Sequence, residues 1–208
     1  IGAKDKEDAE KYVSLGDFAC FDTEFEYLTD TVVKAKAIDD RAGVSILLNL
    51  IKEVPEFDTY FCFTTQEEVG LRGAKIVTNK ILPDIALVLE ATTASDVFGA
   101  DEENYVTTLG NGAVISFADR SMIADKSYFE WLYNLAFKEN IKVQKKKAIA
   151  GGNDSGAIHL ANGGIPTIAI SVPTRYIHSP SSIASLEDID EAEKLARVYL
   201  QKIGEFIG

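Results

Sequence analysis

Two adjacent carboxylates, Glu67 and Glu68, stand where a short apolar run meets a glycine turn. The run 60–63 predicts a buried strand, and Gly70 predicts the turn that follows it. A carboxylate near a core is costly unless a charge, a metal ion or hydrogen bonds compensate it. Neighbouring side chains in an extended segment point in different directions, so one carboxylate could bind a metal while the other faces a substrate. The alternative is a solvated acidic loop that starts a helix.

Three more potential metal ligands follow other apolar runs. They are Asp39 at the end of the run 34–38, Glu90 after the run 85–89, and His178 shortly after the run 165–172. In open α/β sheets, bound molecules and ions lie outside the carboxyl ends of the strands, so we expect these side chains to meet there. Imidazole and carboxylate together suit zinc, cobalt or manganese. A ligand set without cysteine favours a hydrolytic centre over a structural zinc site.

Each of these residues also has a purely structural explanation. Asp39 suits a helix N-cap, and Glu90 suits the cap of a following turn. His178 could be a surface histidine in a loop. His159 lies between two apolar residues with no acidic partner nearby, so packing explains it better than metal binding. The joint pattern therefore carries the metal hypothesis, and no single residue does.

Helices and apolar strands alternate along the chain. Helices are predicted at 44–54, 71–80, 125–140, 156–161 and 186–206, and strands at 60–63, 85–89, 114–117, 142–147 and 165–172. The continuous apolar run 85–89 predicts a central strand covered on both faces. This alternation predicts an α/β protein, a three-layer α/β/α sandwich with a largely parallel central sheet.

Composition narrows the class of protein. The chain has 208 residues, 46% of them hydrophobic, and a formal net charge of −12. That charge disfavours nucleic-acid binding, which needs a basic face. The two cysteines, Cys20 and Cys62, form no disulfide framework, and Cys62 is expected in the core. No transmembrane span or signal peptide is recognised, so no membrane partner and a cytoplasmic location are expected.

Four sequence motifs make the chain resemble the M42 family of co-catalytic metallo-aminopeptidases. They are AIDDRAG at 37–43, QEEVGLRGA at 66–74, GGIPT at 163–167 and ISVPTRYIHSP at 170–180. The resemblance runs from residue 1 to the terminal helix. It implies a peptidase that removes N-terminal residues from peptides through water activated by two divalent metal ions, zinc or cobalt foremost.

The resemblance also implies a role for each site residue. Asp39 would bridge the two metals, with a cis peptide to Asp40 fixing its orientation. Glu67 would be the general base. Glu68 and His178 would bind one metal ion, and Glu90 would bind the other.

One feature departs from the family pattern. The family has a further metal-binding histidine in a His-x-Asp motif upstream of an inserted β domain, and neither His159 nor His178 stands in such a motif. We therefore expect residues 1–33 to be the tail of that inserted domain and residues 34–208 to be a catalytic domain lacking its N-terminal part. The family also implies homo-oligomers, from dimers to dodecamers.

Two other functions stay open from the sequence. A related metal-dependent amidohydrolase or carboxypeptidase would use the same metal core. A non-catalytic assembly module would keep the fold without the chemistry. Blocking the N-terminus of a substrate distinguishes the first from an aminopeptidase, and substitution of Glu67 tests the second.

Overall fold

The computed structural model describes residues 1–208. Seven α-helices are present: α1 Lys6–Ala9, α2 Ile38–Leu50, α3 Arg72–Ile81, α4 Lys126–Lys138, α5 Ser155–Ile158, α6 Leu186–Lys202 and α7 Gly204–Ile207. Two 3₁₀ turns are added at Glu102–Asn104 and Ala161–Gly163. The predicted long helices are confirmed as α2, α3, α4 and α6. None of the helices combines the length and hydropathy that crossing a membrane requires.

One seven-stranded sheet forms the centre of the fold. Its strands are β1 Glu26–Tyr27, β2 Val32–Ala35, β3 Ala86–Thr93, β4 Ala113–Ser116, β5 Val143–Lys145, β6 Thr167–Arg175 and β7 Ser182–Ser185. Strand β6 is the hub. It pairs with β3 along one edge, and along its other edge it pairs first with β4 and then with β7.

The mixed α/β class is confirmed, but the expectation of a largely parallel sheet is wrong. Only β3–β6 and β4–β5 pair in parallel, whereas β1–β2, β2–β7, β4–β6 and β6–β7 are antiparallel. The physical reason lies in the connections. Strands β6 and β7 are joined by the loop 176–181, which is too short for the crossover that parallel neighbours need.

Two predicted strands behave differently from expectation. Residues 60–63 form no strand, since no backbone segment hydrogen bonds to them, and Tyr60 and Phe63 are 67% and 45% exposed. Strand β3 was expected at the centre of the sheet, but it pairs with β6 alone and so lies at an edge. The apolar character of a segment predicts that it is buried. It does not specify whether another strand hydrogen bonds to it, or along which edge.

The main core packs the sheet against α2, α4 and α6. Twenty-two buried residues form it, with Ile46, Leu132, Ile170 and Leu195 among the most enclosed. Apart from this core, α3 packs on α5, and α5 contacts β3 and β6. This framework fixes the start of α2, the middle of β3 and the end of β6 relative to one another.

Candidate metal centre

The start of α2 brings two aspartates to the edge of the core. Asp39 and Asp40 have non-helical backbone angles although they lie in the first turn, and the peptide between them is cis, as the family resemblance implied. The amide of Gly43 donates to Asp40 Oδ1 at 3.0 Å. This hydrogen bond holds the Asp40 carboxylate against the first turn of α2.

The first donor group combines one imidazole with two carboxylates. His178 Nε2 lies 3.1 Å from Asp39 Oδ2 and 3.3 Å from Glu68 Oε2. All three donor atoms lie within 4.8 Å of one another. Tetrahedral zinc with bonds of about 2.0–2.1 Å holds its ligand atoms about 3.4 Å apart, so these separations suit one divalent cation.

The second donor group shares Asp39 with the first. It consists of Asp39, Asp40 and Glu90, again within 4.8 Å of one another. Glu90 was expected to follow the end of a strand, but it lies in the middle of β3. Its Oε1 accepts a hydrogen bond from the amide of Ala91 at 3.0 Å. Asp40 is a potential donor that the sequence alone did not identify. Its position beside Asp39 was the available signal.

Glu67 lies on the turn before α3, next to Glu68. Burial raises the pKa of Glu67 to about 7, and the nearby charges of Glu68, Asp154 and Asp39 push it in the same direction. A carboxylate with a pKa near neutrality can accept and release a proton at the pH of the cell. Glu67 belongs to neither donor group, so its oxygens stay free for that task.

Asp154 supports this turn from the other side. Its Oδ2 accepts the hydroxyl of Thr64 at 2.5 Å, which links the segment before Glu67 to the start of α5. Asp154 is the N-cap residue of α5, but its side chain makes no capping hydrogen bond. Nothing in the local sequence points to a partner 90 residues away.

The carboxylates of the centre crowd together, and basic side chains compensate them only in part. His178 contacts Asp39 and Glu68, and the partly buried Lys146 interacts electrostatically with Glu90. No lysine or arginine forms an ion pair with Asp39, Asp40, Glu67 or Glu90; the ion pairs at the centre are those of His178. Burial raises the pKa of Glu90, and the charges of Asp40 and Asp39 raise it further. Burial also raises the pKa of Asp40, where the charges of Asp39, Glu67 and Asp154 act in the same direction. Such a cluster is satisfied by bound protons or by cations, and its oxygen and imidazole donors fit divalent metal ions.

His159 takes no part in either group. It is the C-cap residue of α5, where Nδ1 contacts the carbonyl oxygen of Ser155 at 2.9 Å. The expectation that it serves a packing role agrees with this contact. The five residues proposed from the sequence therefore fall around one centre, with Asp39 common to both donor groups.

Comparison with known proteins shows to which family the chain belongs. A sequence model of the M42 glutamyl aminopeptidase family matches residues 1–195. A putative aminopeptidase of Acetivibrio thermocellus is 43% identical over 197 residues, covering 94% of this chain and 59% of that protein. The chain therefore belongs to the M42 glutamyl aminopeptidase family.

Solved structures of aminopeptidases share the fold of this chain. An aminopeptidase of the archaeon Desulfurococcus kamchatkensis superimposes with a TM-score of 0.91 at 37% identity, covering 97% of this chain and 58% of that one. The TET1 peptidase of Pyrococcus horikoshii, described as assembling into a tetrahedron or a large octahedral shell, gives 0.77 at 32% identity, covering 96% and 59%. This chain thus spans under two thirds of the length of these relatives.

Proposed function

We propose that this chain carries the catalytic centre of a metal-dependent aminopeptidase, which hydrolyses N-terminal residues from peptides with two divalent metal ions. The observation that carries the proposal is the convergence of two donor groups on Asp39, with Glu67 left free beside them. Family membership supports the reaction class. The mixture of imidazole and carboxylate favours zinc or cobalt, with manganese acceptable.

The proposed chemistry divides between cation and protein. Divalent cations supply Lewis acidity, which lowers the pKa of water and polarises a scissile carbonyl. Asp39, Glu68 and His178 would hold one cation, and Asp39, Asp40 and Glu90 would hold the other. Glu67, which belongs to neither donor group, would take the proton of the attacking water and pass it to the leaving amine.

The two cation sites differ in donor chemistry. The first includes an imidazole, whereas the second has three carboxylates from two adjacent aspartates and Glu90. The family's additional histidine ligand has no counterpart among the two histidines of this chain. We therefore expect the first site to bind zinc or cobalt more tightly than the second.

Metal content per chain is the first test. The chain is loaded with zinc or cobalt, desalted, and its metal is measured by elemental analysis. Two ions per chain support the full centre, and one ion supports the imidazole site alone. No retained metal would contradict the assignment of all five residues.

Hydrolysis tests the role of Glu67. An aminoacyl p-nitroanilide and its N-acetylated form are compared with the metal-loaded protein. Turnover of the free amine only supports an aminopeptidase, whereas equal turnover of both supports an amidohydrolase. Glu67→Gln should lower turnover by about 100-fold or more while leaving metal content unchanged. Unchanged turnover in that variant would sink the general-base role.

Assembly and domain division are further parts of the proposal. A homo-oligomer, from dimer to dodecamer, is supported by the described assembly of the Pyrococcus horikoshii relative. The division into residues 1–33 and 34–208 also stays a proposal, and its boundary falls inside β2. A cytoplasmic location remains a prediction from the sequence.

A further inference from the structure

His178 is presented by a backbone that needs outside support. It lies in the loop 176–181 between β6 and β7, and both Tyr176 and His178 adopt left-handed backbone angles, with φ of 57° and 59°. Such angles are unfavourable for residues other than glycine, so neighbouring structure must hold them. The imidazole is 63% exposed, so packing around the ring does not fix it.

An ion pair anchors the base of this loop. Arg175, the last residue of β6, donates from Nε to Asp96 Oδ1 at 3.0 Å and from Nη2 to Asp96 Oδ2 at 2.7 Å. The Asp96 side chain is only 6% exposed, and its Oδ2 also accepts the amide of Leu109 at 3.0 Å. A two-pronged arginine–carboxylate pair fixes orientation as well as distance.

The pair also ties together the two strands that serve the two donor groups. Asp96 follows β3, which carries Glu90, and the amide of Ala94 continues the ladder by donating to the carbonyl of Thr174 at 2.9 Å. Arg175 ends β6, three residues before His178. The pair therefore closes the ladder at the point where the chain leaves the sheet towards the metal centre.

We propose that Asp96 and Arg175 are positioning residues, which hold the loop 176–181 so that the imidazole of His178 meets Asp39 and Glu68. The inference rests on the proposed function, because it takes His178 to be a metal ligand. Neither residue of the pair belongs to a donor group, so both act through the backbone of the loop.

Hydrogen exchange in the metal-free protein tests the positioning directly. Asp96→Asn keeps the shape of the side chain and removes its charge. We expect exchange in 176–181 to be about 10-fold faster than in the wild type, with exchange in α4 unchanged. Glu193→Gln is the control, since it also removes a carboxylate charge from an arginine pair, the one with Arg197 within α6. Unchanged exchange in the loop, or an equal rise throughout the protein, would overturn the proposal.

Metal affinity gives the second readout. Zinc is titrated while the imidazole signal of His178 is followed by NMR, with His159 as the internal reference. Outer partners of metal ligands typically contribute 10–100-fold in affinity, so we expect a loss of about 10-fold in Asp96→Asn and none in Glu193→Gln. Equal affinity of Asp96→Asn and the wild type would overturn the proposal.

The two failures are distinguishable. If the wild type binds no zinc, the proposed metal centre fails, and the exchange experiment still decides whether the pair orders the loop. If Asp96→Asn does not fold, Arg175→Lys replaces it, because lysine keeps the charge and loses the fork that contacts both oxygens. The same exchange and affinity outcomes apply to that variant.

Discussion

His178 is set apart from the other histidine of the chain by its neighbours. Its Nε2 lies between carboxylate oxygens of Asp39 and Glu68, while His159 contacts a backbone carbonyl. Imidazole is the strongest neutral donor at the centre, so its contribution to affinity should exceed that of any outer group. The pair of histidines provides a matched comparison within one protein.

We expect His178→Ala to lower zinc affinity by more than about 100-fold, because outer partners of ligands alone account for about 10–100-fold. His159→Ala should leave the affinity within about 2-fold of the wild type. Isothermal titration of both variants measures the difference. Equal losses in the two variants would show that His178 is not a ligand.

Metal binding should release protons, because burial and mutual repulsion favour the protonated forms of the carboxylates at the metal-free centre. Burial raises the pKa of Glu90 and of Asp40, and that of Glu67 to about 7, so these groups are wholly or partly protonated near neutral pH. A cation needs the ionised carboxylates. Apparent zinc affinity should therefore rise as pH increases from 6 to 8.

Titration in two buffers with different ionisation enthalpies counts the protons released per zinc ion. We expect about one or more at pH 7. Glu90→Gln should reduce both the number released and the slope of affinity with pH. Binding without proton release in the wild type would mean that the carboxylates are already ionised.

At the scale of elements, the first turn of α2 is shaped by a glycine. A Cβ placed on Gly43 would lie 2.6 Å from Asp40 Oδ1 and 2.9 Å from its Cγ. In an ordinary helix, alanine is about 1 kcal/mol more favourable than glycine. Here the side chain of Asp40 occupies the space, so the usual preference should reverse.

We expect Gly43→Ala to lower the free energy of unfolding by about 1–3 kcal/mol and to weaken zinc binding, because Asp40 must move. Ser45→Ala is the control: it also introduces alanine into α2, at an exposed position. Urea denaturation of the metal-free proteins measures stability. A more stable Gly43→Ala variant would show that Asp40 has room to adjust.

For the whole molecule, burial is unevenly distributed. None of the residues 1–25 is buried, and Tyr12, Phe18 and Phe21 are 72%, 103% and 65% exposed. The side chain of Thr23 donates to the carbonyl of Pro180, and other contacts of this segment are largely local. Segments with few buried contacts open at low free-energy cost.

Limited chymotrypsin treatment should therefore cut after Tyr12, Phe18 or Phe21 well before it cuts the helices of the core. Early cuts are also expected at the exposed loop residues Tyr60 and Phe98. Phe137 is also exposed, but it lies in α4 and should resist until global unfolding. Mass spectrometry identifies the cuts, and zinc titration tests the remaining fragment. Early cleavage at Phe137 would contradict the higher stability expected of α4. Loss of zinc binding after removal of the N-terminal segment would show that the metal centre depends on that segment.

Local patterns in the sequence determined much of this protein. The helical spacing of apolar residues predicts α4 and α6 closely, since one-sided burial leaves a period that can be counted. The run before Pro173 predicts most of β6. The residue types of Asp39, Glu67, Glu68, Glu90 and His178 also indicated a metal centre before any contact between them was known.

Only the tertiary structure decided how these pieces meet. It made the sheet mostly antiparallel, left residues 60–63 outside it, and placed Glu90 in the middle of β3. It also brought Asp40 into the second donor group and joined Asp96 to Arg175 across 79 residues. The physical reason is that periodicity reports which side chains are buried. Strand direction, hydrogen-bond partners and the meeting of distant charges depend on how the whole chain packs.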